Sequence, residues 1–292
     1  MVEINTNLAS SLIKKQFPQW AHLDIKSVEK SGWDNFTFHL GDEMSIRIPR
    51  DEGYALQVEK EAYWLPRLKP YLSLPIPDPI AKGGPDEIYP YPWSINKWLV
   101  GETLTHTNIF DMNKLAIDLS VFLKELQSID STDGPPGGEH NFYRGCPLTR
   151  YKFHEWTLSG LEYLDNIVDR KTCLDIWNRA ISSEWLKEPV WIHGDITPDN
   201  LIVTNGKLSA VIDFGIMAVG DPAADLAIAW TFFDDESRKV FLDSIDLDKE
   251  TVDRARGWAL WKSLTTCMWK PKESDAVKQA LNVINILIKE NK

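Results

Sequence analysis

The chain has 292 residues, which fits one large domain or two lobes. Its net charge of −11 argues against nucleic acid as a partner, because the phosphates would be repelled. The sequence contains neither an apolar leader nor an apolar run of roughly eighteen residues, so we expect no membrane span and a cytoplasmic location. Its three cysteines are far apart, fit no metal-binding spacing and favour a reducing compartment.

The first hundred residues predict a small antiparallel sheet with two helices. Apolar residues at helical spacing predict a helix over residues 5–17, ended by Pro18, and a second helix over residues 54–68. Segment 74–92 is rich in proline and glycine, which predicts extended chain with turns. Short alternating runs predict an antiparallel meander and a last strand, over residues 25–30, 36–40, 45–49 and 93–99.

From residue 108 onward the pattern is mainly helical. Stripes at i, i+3 and i+4 are clearest in the first predicted helix and continue to the end of the chain. The predicted helices cover residues 109–129, 151–168, 174–186, 223–233, 247–270 and 274–289. Between the third and fourth of them, three short β-branched runs predict strands over residues 190–192, 201–203 and 208–212.

Polar loops adjoin these three strands and contain the residues suited to catalysis. His-Gly-Asp at 193–195 follows the first strand, Asn200 comes five residues after the aspartate, and Asp-Phe-Gly at 213–215 follows the third strand. Asp-x4-Asn followed by Asp-Phe-Gly is the spacing found in kinases. The Asn205-Gly206 pair predicts a hairpin between the second and third strands. Each motif alone fits a loop cap, whereas their order on one hairpin predicts a phosphotransferase.

The chemistry of phosphoryl transfer assigns roles to these side chains. One carboxylate must face the acceptor hydroxyl and accept its proton, and Asp195 is the candidate. Metal ions that bridge nucleotide phosphates take oxygen ligands, so Asn200 and Asp213 are the candidate ligands of Mg2+. The expected phosphoryl donor is ATP or GTP.

The third predicted strand contains Arg47 at the place where kinases have a lysine paired with a glutamate on the next helix. We expect Arg47 to contact phosphate and to pair with Glu61, with Glu59 as the alternative partner. A surface ion pair is the competing interpretation of the same residues.

Two further segments are candidates for nucleotide binding. Segment 31–35 stands at the place of a kinase phosphate-binding loop, although it has one glycine, so Ser31 and Asn35 are candidates for phosphate contact. A plain hairpin turn is the alternative for this segment. At the end of the last predicted strand, backbone groups near Lys97 and Leu99 are candidates for contact with the adenine or guanine of the nucleotide.

The sequence resembles the aminoglycoside phosphotransferase family of small-molecule kinases. The residues that carry the resemblance are 191–195 with Asn200, 211–215, 220–223 with Asp225, and the pair Arg47 and Glu61. The segments GWDNFTFHL, SIRIPR and PYPWSINKWLVGE are also similar. The resemblance extends from about residue 31 to residue 261.

The resemblance implies an α+β, two-lobed protein-kinase-like fold with a small antiparallel N-lobe and a larger, mainly helical C-lobe. It implies a nucleotide-binding lobe over residues 1–99 and a catalytic and substrate-binding lobe over residues 100–292, with nucleotide in the cleft between them. It also implies that Asp195 is catalytic, that Asn200 and Asp213 bind metal, and that Asp225 buttresses the catalytic loop.

The substrate class is less sharply determined. No Ala-Pro-Glu motif follows the Asp-Phe-Gly, which favours a small molecule over a protein. The leading hypothesis is transfer to an aminoglycoside hydroxyl, and the clustered acids 234–236 fit the acidic cleft that a polyamine would favour. Glu155, Glu162 and Asp165 are candidate contacts for a cationic substrate, although solvated helix surface is the preferred interpretation of each one singly. A macrolide 2'-phosphotransferase is the runner-up, kept open by Trp258, Trp261 and Trp269.

A metabolic kinase for a sugar, choline or homoserine is the third hypothesis. A nucleotide-binding scaffold without activity is the fourth, and the intact Asp195, Asn200 and Asp213 oppose it. The expected partners are a nucleoside triphosphate and a small molecule, with no nucleic acid or membrane, and the expected state is a monomer or homodimer.

Overall fold

The computed structural model describes residues 3–29, 32 and 34–291. The chain divides into two compact units, Met1–Glu102 with Ser209–Gly215, and Thr103–Leu208 with Ile216–Lys292. Within the described ranges, no helix has both the length and the hydropathy that crossing a bilayer requires.

The first unit is built on a five-stranded antiparallel sheet. Its helices and strands are α1 (Thr6–Gln16), β1 (Ile25–Ser27), β2 (Asn35–Leu40), β3 (Met44–Pro49), α2 (Glu52–Leu68), β4 (Pro79–Gly83) and β5 (Trp93–Lys97). The strand order is β1-β2-β3-β5-β4, and each neighbouring pair is antiparallel. The predicted meander is therefore confirmed.

Alternation along β3 determines which face of this sheet is apolar. Ile46 and Ile48 are fully buried in a core that also contains Leu12 and Trp93. Because successive side chains of a strand point to opposite faces, Arg47 projects from the other face. The side chain of Asp51 accepts a hydrogen bond from the Gly53 amide and caps the helix α2 that follows.

The second unit is mainly helical and contains two small sheets. Its helices are α3 (Met112–Ser128), α4 (Phe153–Tyr163), α5 (Arg170–Ile181), α6 (Ile228–Thr231), α7 (Asp235–Ile245), α8 (Lys249–Trp269) and α9 (Asp275–Glu290). The remaining strands are β6 (Glu102–Thr103), β7 (Val190–Ile192), β8 (Leu201–Thr204), β9 (Lys207–Val211) and β10 (Ala218–Gly220). Strand β8 pairs with β6 and β9, and β7 pairs with β10.

The turn between β8 and β9 has the predicted geometry. Asn205 and Gly206 have φ values of 52° and 71°, the left-handed region that a two-residue hairpin needs and that these residue types tolerate. The predicted hairpin is confirmed.

One helix prediction in the second unit is wrong, and one helix was missed. The segment 223–233 is not one helix, since a 3-10 segment Pro222–Ala227 precedes the short α6. Helix α7 was not predicted, because its first turn reads as a cluster of acids. Asp234 in that cluster accepts a hydrogen bond from the Ser237 amide and is the N-cap of the helix.

Helix α8 is buried along most of its length. It packs against α4, α5 and α9, and it carries the large apolar side chains Trp258, Trp261 and Leu264. A helix that is held on several sides fixes the positions of its polar side chains, and Lys262 is one of these.

Candidate active site

The loop after β7 is fixed by one buried carboxylate. Asp225 is 1% exposed, and its two oxygens accept hydrogen bonds from the backbone amides of His193 and Gly194 at 2.8 and 2.7 Å. Gly194 has φ 86°, and a Cβ at this position would lie 2.8 Å from the Ile216 carbonyl oxygen, so glycine is required. The buttressing role expected of Asp225 is therefore confirmed.

Burial raises the pKa of Asp225 from its ordinary value of 3.8 to about 6. The nearby His193 and the two backbone amides oppose this rise, because they favour the charged carboxylate. The shift shows that removal from water outweighs the hydrogen bonds at this position.

Asp195 lies two residues beyond the start of this loop, and its side chain is 38% exposed. Its Oδ1 accepts a hydrogen bond from Lys262 Nζ at 3.1 Å, and its Oδ2 accepts one from Asn200 Nδ2 at 3.3 Å. Desolvation pushes the pKa of Asp195 up, but the charges of Lys262 and Arg144 outweigh it and hold the pKa below its usual value. Asp195 is therefore a carboxylate at neutral pH, the form that accepts a proton.

Asn200 has the geometry of a ligand that presents oxygen. The residue is 8% exposed, and its Nδ2 also donates to the backbone carbonyl of Asp195 at 2.9 Å. Its Oδ1 makes no hydrogen bond to any residue that the structure describes. Because the nitrogen is occupied by the loop, the oxygen remains available to a hard cation.

In the first unit, Arg47 joins two of the other predicted site residues. Its Nη1 donates to both oxygens of Glu61 at 3.1 and 3.0 Å, and its Nη2 donates to Oδ1 of Asp213 at 3.0 Å. The predicted partner Glu61 is confirmed, whereas the alternative Glu59 pairs with Lys82. Burial acts to lower the pKa of Arg47. The surrounding carboxylates outweigh this effect and hold the pKa of Arg47 above its usual value.

Asp213 adopts a backbone conformation that is uncommon for residues other than glycine. Its φ of 67° lies in the left-handed region, which aspartate visits more readily than most non-glycine residues. A local turn of this kind at the end of a strand is frequent at functional sites.

The segment before β2 contributes an acid that sequence reasoning did not single out. Asp34 lies near Asp213 and Arg47, and burial together with the charge of Asp213 raises the pKa of Asp34. Asn35 is buried as the first residue of β2 and hydrogen-bonds to the Asp34 carboxylate. Ser31 lies outside the described residues, so its predicted phosphate contact stays a prediction.

Two backbone amides at the end of β5 are already used in hydrogen bonds and are not available to the base of a nucleotide. The backbone amide of Lys97 donates to the Asp78 carbonyl at 2.9 Å, and that of Trp98 donates to the Glu43 carbonyl at 2.7 Å. In the described part of the chain, the backbone amide of Leu99 donates to no other group. Leu99 is therefore the better placed of the two predicted positions to donate to a ligand.

Lys262 and Arg144 are the main site residues that the sequence did not reveal. Lys262 is 67 positions from Asp195, and Arg144 precedes it by 51, so no local spacing links them to the motif. The guanidinium carbon of Arg144 lies 4.6 Å from the ring centre of Trp261 and 5.2 Å from that of Trp258. Lys262 reaches the catalytic loop through the packing of α8, and Arg144 lies between that helix and Gly194.

An aromatic cluster adjoins Arg144. Phe153 packs edge-on against Trp258 and Trp261 with ring centres 4.8 and 5.0 Å apart, and Trp156 contacts both Trp261 and Trp269. The indole nitrogens of Trp258 and Trp261 are buried and have no hydrogen-bond partner among the described residues. Unpaired buried donors of this kind mark a place where a ligand or water completes the hydrogen bonding.

The candidate acids of the second unit differ in their availability. Asp234 caps α7, and Asp235 pairs with Arg238, so the 234–236 cluster serves that helix. On α4, Glu155 and Glu162 are exposed and form no ion pair with any described residue. These two acids remain free to meet a cationic ligand.

The described residues contain no group of three or more His, Cys, Asp or Glu side chains that would hold a metal ion without further ligands. Asp213 of the first unit presents carboxylate oxygens and Asn200 of the second unit presents an amide oxygen. Both are oxygen donors of the kind that Mg2+ takes as ligands.

The chain has sequence similarity to known phosphotransferases. Residues 24–260 match the model of the family described as Phosphotransferase enzyme family. A stretch of 43 residues is 42% identical to the aminoglycoside 3'-phosphotransferase of Escherichia coli, over 15% of this chain. The match spans 16% of the length of that curated relative.

Solved structures resemble the chain over nearly its whole length. A variant of aminoglycoside 2'-phosphotransferase-IIIa in complex with GDP has a TM-score of 0.74 at 17% identity and covers 98% of both chains. A macrolide 2'-phosphotransferase from Brachybacterium faecium has a TM-score of 0.60 at 18% identity, with 94% of this chain and 98% of that chain covered. The similarity confirms the predicted α+β, protein-kinase-like fold.

Proposed function

The chain belongs to the phosphotransferase enzyme family, and from that premise we propose that it phosphorylates a hydroxyl group of an antibiotic of the aminoglycoside class. Membership makes it a phosphotransferase with an alcohol group as acceptor. The observation that carries the proposal is the ionised Asp195, held on a loop that Asp225 fixes and hydrogen-bonded to Asn200.

The chemistry follows from these residues. The acceptor oxygen attacks the γ-phosphorus of a nucleoside triphosphate, and the bond from phosphorus to the bridging oxygen breaks as the diphosphate leaves. Asp195 orients the acceptor hydroxyl and receives its proton. Mg2+, when bound, neutralises charge on the phosphates, and Asn200 and Asp213 are the residues we propose to hold it.

We propose that the donor binds through the first lobe, residues 1–99, and that residues 100–292 supply the base and the acceptor site. Arg47 is a proposed phosphate contact, and Glu61 orients its guanidinium. Ser31 and Asn35 are further proposed phosphate contacts. Backbone groups of Lys97 and Leu99 are the proposed contacts to the adenine or guanine of the nucleotide. Leu99 is favoured because its backbone amide donates to no other group among the described residues. The GDP bound to one structural neighbour supports a purine nucleotide.

Two observations favour an aminoglycoside acceptor. The curated relative and the neighbour of higher TM-score both carry the aminoglycoside name. In addition, α4 presents the unpaired acids Glu155 and Glu162, which would attract a polyamine.

A macrolide acceptor is the second candidate. The aromatic cluster of Phe153, Trp156 and Trp261 supports it, because a lactone buries mainly apolar surface. The similarity to a macrolide 2'-phosphotransferase is in keeping with this alternative.

The salt dependence of KM distinguishes the two classes. A polycation held by exposed acids loses affinity as salt rises, because such charges are screened over about 8 Å at physiological ionic strength. We expect turnover of at least one aminoglycoside with a KM that rises with salt at constant free Mg2+.

A variant pair makes the test specific. In Glu155→Gln/Glu162→Gln we expect a higher KM, a weaker salt dependence and an unchanged kcat, whereas Glu184→Gln, an exposed acid outside α4, serves as the matched control. Turnover of macrolides alone, with a KM that does not change with salt, would replace the aminoglycoside by the second candidate. Turnover of neither class would reject an antibiotic acceptor.

A further inference from the structure

Lys262 has one ion-pair partner and unused hydrogen-bonding capacity. Its Nζ lies 3.1 Å from Asp195 Oδ1, and the residue forms no other ion pair within the described ranges. An ammonium group has three donors. One of them is used on the catalytic carboxylate, so two remain for another acceptor at the same place.

A second cation acts on the same carboxylate. Arg144 interacts electrostatically with Asp195, its Cβ packs beside Gly194, and it forms no ion pair with any described acid. Its Nη1 is buried and has no hydrogen-bond partner in the described chain. Two cations, Lys262 and Arg144, therefore act on the Asp195 carboxylate in a chain whose net charge is −11.

Stability does not account for a lysine at this position. Lys262 and Asp195 are 39% and 38% exposed, and an ion pair with that much solvent contact adds little to the free energy of unfolding. Helix α8 is already held by apolar packing through Trp258, Trp261 and Leu264.

An ammonium on a general base also has a chemical cost. It lowers the basicity of Asp195, which opposes proton acceptance. In a loose phosphoryl-transfer transition state, however, proton transfer contributes less than neutralising the charge on the phosphoryl oxygens. A cation at the base is therefore useful if it also contacts the phosphoryl group.

We propose that Lys262 is a catalytic residue whose ammonium binds a non-bridging oxygen of the γ-phosphoryl group while Asp195 holds the acceptor. The proposal rests on the phosphotransferase function proposed above. The acceptor oxygen forms the new bond to phosphorus, and the electron pair of the broken bond goes to the diphosphate. The acceptor proton goes to Asp195, and Lys262 stays protonated throughout.

The experiment compares nucleotide binding without acceptor and turnover with it. Lys262→Met removes the charge and keeps the length of the side chain, and Lys262→Arg keeps the charge. Lys249→Met is the matched control, because Lys249 lies on the same helix and pairs with Asp253 at the surface. Calorimetric titration gives the affinity for Mg-ADP and for a non-hydrolysable Mg-ATP analogue, or for Mg-GDP and the corresponding Mg-GTP analogue. The difference between the two affinities measures the contact with the γ-phosphate.

We expect Lys262→Met to bind the triphosphate analogue about tenfold more weakly, since one charged hydrogen bond is lost. Its affinity for the diphosphate should be unchanged. Its kcat should fall by roughly 10²–10³, as for other single donors to a developing charge. Lys262→Arg should recover most of both effects, and Lys249→Met should show neither.

Equal weakening of diphosphate and triphosphate, or a kcat within about threefold of the parent protein, would overturn the proposal and leave a simple ion pair. Lys262→Gln provides a second neutral variant if the methionine variant does not fold. A parent protein that phosphorylates no antibiotic, while Lys262→Met still loses only triphosphate affinity, would reject the proposed acceptor and support the role of Lys262.

Discussion

Replacing Arg47 should destabilise the first unit by taking the ion-pair partner from the buried carboxylate of Glu61. Arg47 and Glu61 have side chains that are only 15% and 7% exposed, and the guanidinium makes two hydrogen bonds to Glu61 and one to Asp213. In Arg47→Ala the charge of Glu61 stays in the low-dielectric interior and loses both bonds. Arg47→Lys keeps the charge but cannot form the two-pronged contact.

The magnitudes follow from burial. Removing one member of a buried ion pair costs about 3–5 kcal/mol, because the other charge is left uncompensated. Losing one charge-assisted hydrogen bond while keeping the charge costs about 1.5–3 kcal/mol, which is the expectation for Arg47→Lys. The double variant Arg47→Met/Glu61→Leu also removes the buried charge of Glu61, and the Asp213 side chain that loses its bond to Arg47 is 29% exposed, so we expect the double variant to be more stable than Arg47→Ala.

Urea unfolding at pH 7, followed by tryptophan fluorescence, measures these differences in the free energy of unfolding. Arg50→Ala is the control, since Arg50 is exposed and, within the part of the chain that the structure describes, its side chain contacts the Gly32 carbonyl and the face of Phe36. If Arg47→Ala loses no more stability than Arg50→Ala, or if the double variant is the less stable of the two Arg47 variants, the reasoning from burial is refuted.

Three further predictions concern single carboxylates. Asp195→Asn should lower kcat by about 10²–10⁴ with little change in nucleotide affinity, and parent-like turnover in steady-state assays would remove Asp195 from the mechanism. Asp213→Ala should abolish the Mg2+ dependence of nucleotide binding, and a titration with and without Mg2+ that still shows the full effect would place the ligands elsewhere. Because the folded pKa of Asp225 is raised from 3.8 to about 6, this group favours the folded state at low pH and loses that contribution as pH rises through this window. The free energy of unfolding of the parent protein minus that of Asp225→Asn should therefore fall between about pH 4 and 6, and a difference that rises with pH would contradict the direction of the shift.

The amino-acid sequence by itself determined the features that depend on near neighbours. The period of the apolar residues predicted the meander of the first unit, and Asn205-Gly206 predicted the hairpin of β8 and β9 because these residue types accept positive φ. The partner of Arg47 was also predictable, since a strand and the helix that follows it lie close together in both sequence and space. Acids at a helix start, as at Asp234, were misread because a cap and a solvated cluster have the same composition.

Only the tertiary structure decided which distant charges meet. It groups segment Ser209–Gly215 with the first unit, so that Asp213 pairs with Arg47 across 166 positions. It also brings Lys262 to Asp195 across 67 positions. Ion pairs of this range leave no periodic signal in the sequence, because the spacing along the chain is unrelated to the distance in space. The physical cause of their formation is the packing of buried helices and strands, which fixes where a few polar side chains can point.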